Sequence, residues 1–271
     1  MFIKRYSAEH IPDKQNVKYF YYEFPNEYFC LSKNGNKMSL RELRTALKNS
    51  ASKKQAEIAQ WFFKTGPGEY GEGDVFIGIK VPVLRSIAKQ HLEFSLDDLQ
   101  ILLQSKIHEE RLVSLMIMVQ RFSKCSPEDK KILFDLYLDN TSNINNWDLV
   151  DLSAPQIVGG YLIDKDKKIL TKLASSKLLW ERRIAMMATF QFIKSNRFET
   201  SLHIAEKLLN DKHDLIHKAA GWMLREIGKR NLETEEHFLK KHYKTMPRTM
   251  LRYAIEKFPE KKRKAYLQNK I

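Results

Sequence analysis

Arg111-Leu112-Val113-Ser114-Leu115-Met116-Ile117-Met118 is an apolar block opened by a cation, and four blocks of similar make follow it. Trp147 opens Trp147-Asp148-Leu149-Val150-Asp151-Leu152. Arg183 opens Arg183-Ile184-Ala185-Met186-Met187-Ala188-Thr189-Phe190. Lys218 opens Lys218-Ala219-Ala220-Gly221-Trp222-Met223-Leu224-Arg225, and Arg252 opens Arg252-Tyr253-Ala254-Ile255-Glu256-Lys257-Phe258. Successive openings lie 36, 36, 35 and 34 residues apart. Segments such as 127–138 and 201–209 fall between them and supply partner helices. One such helix pair cannot bury its apolar face alone, and stacking on the next pair does so. The expected fold is all-α.

A two-helix unit of this length indicates a HEAT-like helical-repeat solenoid, with a concave basic face. Composition agrees with helix. The chain has 271 residues, of which 43% are hydrophobic, with Gly 10 and Pro 8. Few breakers and many Leu, Ile, Lys and Glu residues favour helical segments. A formal net charge of +14 points to a polyanionic partner, nucleic acid or an anionic membrane face. Cys30 and Cys125 are the two cysteines and form no Cys-x-x-Cys, which argues against a disulfide framework or a thiolate zinc site. His213 and His217 are four apart but have no evident third ligand, so neither a metal nor a cofactor is expected. The apolar run 112–119 is far too short to span a membrane. A cytoplasmic monomer with no obligate protein partner is the expectation.

Residues 1–37 differ from the rest. They are rich in Tyr, Phe, Asn and Lys without a helical period, and read as a loosely structured extension upstream of a possible start at Met38. Ser39 and Glu42 then form a capping-box pattern that opens the main domain, 38–271. Helices are expected over 39–49 and 53–63, the second carrying Ile58, Trp61 and Phe62 on one face. Gly66, Gly68, Gly71 and Gly73 make 65–74 a loop. It is no phosphate cradle, because no Gly-Lys-Ser/Thr follows and Glu69, Glu72 and Asp74 would repel a phosphate.

Trp147 and Asp151 stand four apart, so on a helix they share a face one turn apart. An indole face beside a carboxylate suits a developing cation. The plainer reading is one core anchor and one capping acid. In a solenoid, equivalent positions line one inner face, which makes Arg111, Trp147, Arg183, Lys218 and Arg252 neighbours, with Asp151 and Trp222 on the same side. Repeated cations suit a phosphate backbone, and indoles suit sugars or bases. Alternatively these residues pack between repeats, since Arg and Lys stems serve either purpose.

Four stretches carry a resemblance: 68–79 (Gly68-Glu69-Tyr70-Gly71-Glu72-Gly73-Asp74-Val75-Phe76-Ile77-Gly78-Ile79), 146–151, 180–185 (Trp180-Glu181-Arg182-Arg183-Ile184-Ala185) and 218–226. In this order and spacing, over about 38–271, the chain resembles the AlkD-like HEAT-repeat DNA glycosylases of the DNA alkylation repair family. The resemblance implies excision of positively charged alkylated purines, such as 3-methyladenine and 7-methylguanine, from double-stranded DNA. It also implies approach from the backbone side, without a base-flipping pocket. It matches Trp147 and Asp151 to the catalytic aromatic and acid, Arg183 to a phosphate-contacting arginine, and Trp222 to a second aromatic lining the lesion. Some members carry an aromatic just before the catalytic Trp, where this chain has Asn146. A cationic base leaves without general-acid help, and Asp151 would stabilise the oxocarbenium-like sugar. Arg183 nearby would keep Asp151 ionised. Replacing Asp151 by Asn is expected to leave stability unchanged or raised. A non-catalytic HEAT-like nucleic-acid-binding protein and a protein scaffold are the alternatives.

Overall fold

A computed structural model describes residues 39–271. The extension 1–37 lies outside the described residues. The described chain is helical: α1 Leu40–Ser50, α2 Lys53–Phe62, α3 Val81–Gln90, α4 Leu96–Leu103, α5 His108–Phe122, α6 Pro127–Asp139 and α7 Trp147–Ala154. A π turn, Pro155–Gly159, leads into α8 Gly160–Leu162. Then come α9 Lys168–Ala174, α10 Leu179–Ala188, α11 Phe190–Lys194, α12 Glu199–Lys207, α13 Asp214–Gly228, α14 Leu232–His242, α15 Arg248–Ala254 and α16 Glu260–Leu267. Among the described residues no strand forms; one isolated bridge pairs Val75 with Ile107.

The ends of these helices follow from local chemistry. Ser39 accepts the Glu42 amide at 3.3 Å while the Ser39 amide donates to the Glu42 carboxylate at 2.6 Å, the expected capping box. Ser95 and Asp98 repeat the device at α4. Ser126 caps α6, whose first residue is Pro127, where a missing N–H costs nothing.

The helices form two layers. α5, α7, α10, α13 and α15 each pack on the next, and α4, α6, α9, α12 and α14 back them. The repeat inferred from the spacing is this inner layer. α5 is its most enclosed member, since every residue from His108 to Phe122 is buried. Its polar residues therefore need internal partners. Glu109 accepts the Ile77, Gly78 and Ile79 amides, the shortest at 2.7 Å. Glu110 takes a two-pronged bond from Arg44 at 3.0 Å, and Arg121 donates to the Phe94 carbonyl at 2.6 Å. These bonds tie α1 and the 75–79 segment to the stack.

Two details depart from a uniform repeat. Pro155 has no N–H, so the Asp151 carbonyl loses its usual helical donor, and the chain widens into the π turn one turn beyond Asp151. The second is α2. Its expected apolar face does not form a core: Ile58 and Trp61 are 50% and 59% exposed, and none of its residues is buried. Phe62 and the following Phe63 point inward instead, onto Trp147. A period of 3.6 marks a shared face, but says nothing of whether another element covers it.

Close approach of α13 and α15 depends on Gly221. A Cβ there would collide with the Met250 carbonyl and stand 2.6 Å from Tyr253 Cβ. Gly221→Ala is expected to cost about 1–3 kcal/mol through overpacking, read as a lowered denaturation midpoint.

Candidate active site

The site is built around the first two turns of α7. Asn146 is the N-cap and is fully buried. Its Oδ1 accepts the Trp147 amide at 2.8 Å, and its Nδ2 donates to Asp74 at 3.3 Å. The polar residue at this position is thus a cap that ties the 65–79 loop to α7. A phenylalanine there could make neither bond.

Trp147 is half-buried. Its ring stacks on Phe63 with centroids 5.2 Å apart and meets the edge of Phe62 at 5.9 Å. Tyr70, from the glycine-rich loop, lies edge-on to Trp180 at 5.9 Å, and its hydroxyl is close enough to the Trp147 side chain to be affected by it. Burial raises the Tyr70 hydroxyl above its ordinary value, so it stays a neutral phenol. The end of α2 therefore supplies aromatic surface against Trp147, and α10 supplies Trp180 against the loop's Tyr70. Gly71 admits the loop, because a Cβ there would strike the Phe63 carbonyl.

Asp151, one turn beyond Trp147, is 6% exposed. Arg183 on α10 grips it bidentately: Nε donates to Oδ1 at 2.9 Å and Nη2 to Oδ2 at 2.8 Å. Arg183 Nη1 also donates to the Leu215 carbonyl at 2.6 Å, at the start of α13. Burial pushes the Asp151 carboxyl above the usual range, and Arg183 opposes that shift. Both carboxylate oxygens accept charge-assisted bonds from a group that stays protonated, so the pair is ionic. One consequence reverses an expectation. Asp151→Asn would strand a buried guanidinium, so stability falls rather than holds.

Beneath the site lies a second buried charge cluster. His108 at the start of α5 sits between two carboxylates, with Nδ1 3.1 Å from Asp74 and Nε2 2.8 Å from Asp148. Asp74 also accepts from Arg111 at 2.5 Å and from Asn145 and Asn146 at 3.3 Å each. Burial alone would raise Asp74, but His108, Arg111 and Asn146 outweigh it and hold the carboxyl below its ordinary range. Burial alone would lower His108; Asp148 and Asp74 overcome it and push the imidazole up to about 9. Asp74 is therefore a neutralised core group, not the phosphate-repelling loop acid that its sequence context suggests.

The row of cations expected along one open face is not what the side chains present. Arg111 and Arg183 are 4% and 3% exposed and are committed to Asp74 and Asp151. Lys218 is paired with Asp214 at 2.7 Å, and Arg252 is exposed. Trp222 is buried in α13, its Nε1 donating to Glu226 at 3.1 Å and its ring tilted toward Phe190. Trp147, Asp151 and Arg183 come together, whereas Trp222 is enclosed on α13 between Glu226 and Phe190. Phe63, Tyr70, His108, Asp148 and Trp180 are members that the spacing argument missed. Tyr70 and Trp180 lie inside quoted motifs, but Phe63 and His108 carry no local signal. Among the described residues no group of three His, Cys, Asp or Glu side chains is arranged to hold a metal ion, and no helix is long and apolar enough to cross a membrane. His213 caps α13, and His217 Nε2 bonds the Asp211 carbonyl at 2.5 Å.

A carboxylate–guanidinium pair beside aromatic rings, carried on the inner helices of a two-layer α-helical repeat, defines a helical-repeat protein with a built polar site. The family model for DNA alkylation repair enzymes matches residues 43–258, and the chain belongs to that family. Its role is thus in repair of alkylated DNA. Among solved structures, a predicted DNA alkylation repair enzyme from Enterococcus faecalis is 17% identical with a TM-score of 0.63, over 78% of this chain and 98% of that one. That likeness shows a shared fold. The smu.31 protein from Streptococcus mutans UA159 is also 17% identical, with a TM-score of 0.47 over 81% of this chain and 98% of its own. No curated protein sequence matches significantly.

The buried imidazolium makes stability depend on pH. A group near 6.5 when unfolded and about 9 when folded stabilises fully below pH 6.5, and the contribution is lost as pH rises through 9. The loss should be on the order of 3 kcal/mol, read as a falling urea midpoint between pH 6.5 and 9.5. His108→Gln should flatten that fall.

Proposed function

We propose that the protein is a DNA glycosylase that hydrolyses the N-glycosidic bond of positively charged alkylated purines, of the 3-methyladenine and 7-methylguanine type, in duplex DNA. The observation that carries this reading is the placement of Asp151 one helical turn from Trp147, fixed bidentately by Arg183. The rest of the reading follows from charge. The base leaves as a neutral purine, so no proton donor is required. Positive charge moves to the deoxyribose as the bond breaks. A carboxylate already oriented in a low-dielectric setting stabilises that charge without reorganising. Trp147 offers its ring face to the same cation, with Phe63 behind it. Selectivity then rests on the charge of the lesion and the weakness of its bond.

Arg183 takes a different part from the one the resemblance implies. With Nε and Nη2 on Asp151 and Nη1 on the Leu215 carbonyl, it orients the acid. Phosphate contacts fall to exposed cations such as Arg252.

The burial of Asp151 favours a second reading, binding of DNA without excision, in which the ion pair serves only to join α7 to α10. Two variants separate the readings. Asp151→Asn should lower stability by about 3–5 kcal/mol, because it leaves Arg183 buried and unpaired, and should lower single-turnover release of 7-methylguanine by roughly 10²–10³. Asp151→Asn combined with Arg183→Gln removes both charges, so stability should largely return while excision stays low. Excision near wild type in the double variant would remove Asp151 from the chemistry, and no release of 7-methylguanine by the wild type would leave binding alone as the function.

A further inference from the structure

We propose that His108 is a positioning residue for Trp147: clamped between Asp74 and Asp148, it sets the first turn of α7 and the stack of rings against which the Trp147 indole rests. The inference rests on the reading of Trp147 as part of the working site.

The geometry fixes the charge state of the clamp. The His108 side chain is 1% exposed, and both of its ring nitrogens face carboxylate oxygens, at 3.1 and 2.8 Å. A carboxylate only accepts, so both nitrogens must donate, and only the doubly protonated ring can do so. A neutral imidazole would turn a lone pair toward one of the two carboxylates. The groups facing the ring come from three places: Asp74 from the loop, Asp148 from α7 and Arg111 from α5 itself. Two acids and two cations make the cluster neutral as long as His108 keeps both protons.

Three routes lead from this ring to Trp147. The first is covalent, because Asp148 is the residue after Trp147. The second passes through the cap: Asp74, held by His108 and Arg111, accepts from Asn146, whose Oδ1 in turn accepts the Trp147 amide. The third is a run of near-parallel rings. His108 stacks on Phe76 at 4.2 Å, Phe76 on Phe63 at 4.9 Å, and Phe63 on Trp147 at 5.2 Å. Loss of one proton acts at the head of all three. It puts a lone pair against Asp74 or Asp148, and loosens the cap and the ring stack that share those partners.

The test reads the Trp147 indole directly, in the free protein and without DNA. The Trp147 contribution is the difference in emission between the wild type and Trp147→Phe, recorded from pH 6 to 10 with helicity followed by circular dichroism. A step in that difference near pH 9 is expected while helicity holds. It should survive Tyr70→Phe, which removes the phenol next to the indole, and vanish in His108→Gln. Asp148→Asn, which keeps the shape of the acceptor but not its charge, should shift the step to lower pH, and serves if the glutamine variant does not fold. On methylated duplex DNA, His108→Gln should slow single-turnover excision roughly ten- to hundredfold with DNA affinity unchanged, and the wild-type rate should fall through the same pH step. An indole signal that is flat with pH, or identical in wild type and His108→Gln, overturns the proposal. A protein that shows the step but excises nothing overturns the glycosylase reading and leaves the placement of Trp147 by His108 standing.

Discussion

The fold depends on satisfying charge inside α5. A helix buried along its whole length ordinarily carries only apolar residues, yet this one holds His108, Glu109, Glu110, Arg111 and Arg121. Each would destabilise the folded state severely if left without a partner. Each instead recruits a different piece of chain: the 75–79 amides, Arg44 of α1, Asp74 of the glycine-rich loop, Asp148 of α7 and the Phe94 carbonyl. Apolar packing stacks the repeats, but it is indifferent to small rotations. The buried polar bonds are directional and fix how the N-terminal segments sit on the stack.

The same rule shapes the site. Asp151 and Arg183 join successive inner helices, and Arg183 reaches on to the first turn of α13. Asp74 and Asp148 join the loop and α7 through His108. The two clusters flank Trp147, one beneath its helix end and one a turn beyond. A residue at such a point is held by neighbours on several elements, the condition for an oriented group that does not relax when charge develops. The π turn at Pro155 follows directly after, so the helix carrying the acid is regular only over its first two turns.

Membership in the DNA alkylation repair family places this geometry in a setting where the substrate is anionic overall. Buried, neutralised clusters then have a clear role. They shape the site without adding net charge to it, while exposed Lys and Arg elsewhere on a chain of net charge +14 attract the backbone.

Much of the architecture was legible in the chain alone. The interval near 35 residues marked the inner helices at Arg111, Trp147, Arg183, Lys218 and Arg252, because period and helical pattern are local properties that tertiary contacts reinforce. Ser39 with Glu42 marked the first cap for the same reason. The nearness of Trp147, Asp151 and Arg183 also followed from the repeat, since one interval is one step along the stack. The facing of the cations did not follow. Arg111 and Arg183 stand at repeat positions that a groove would expose, and only the approach of Asp74 and Asp151 shows them buried as partners. His108 and Phe63 have no sequence signal at all, because the partners that give them a place in the site, Asp74, Asp148 and Trp147, lie 34 to 84 residues away. Spacing within a helix determined which residues share a face. Which faces are covered, and which charges are cancelled there, was decided by the tertiary contacts, because burial is a property of the neighbour as much as of the residue.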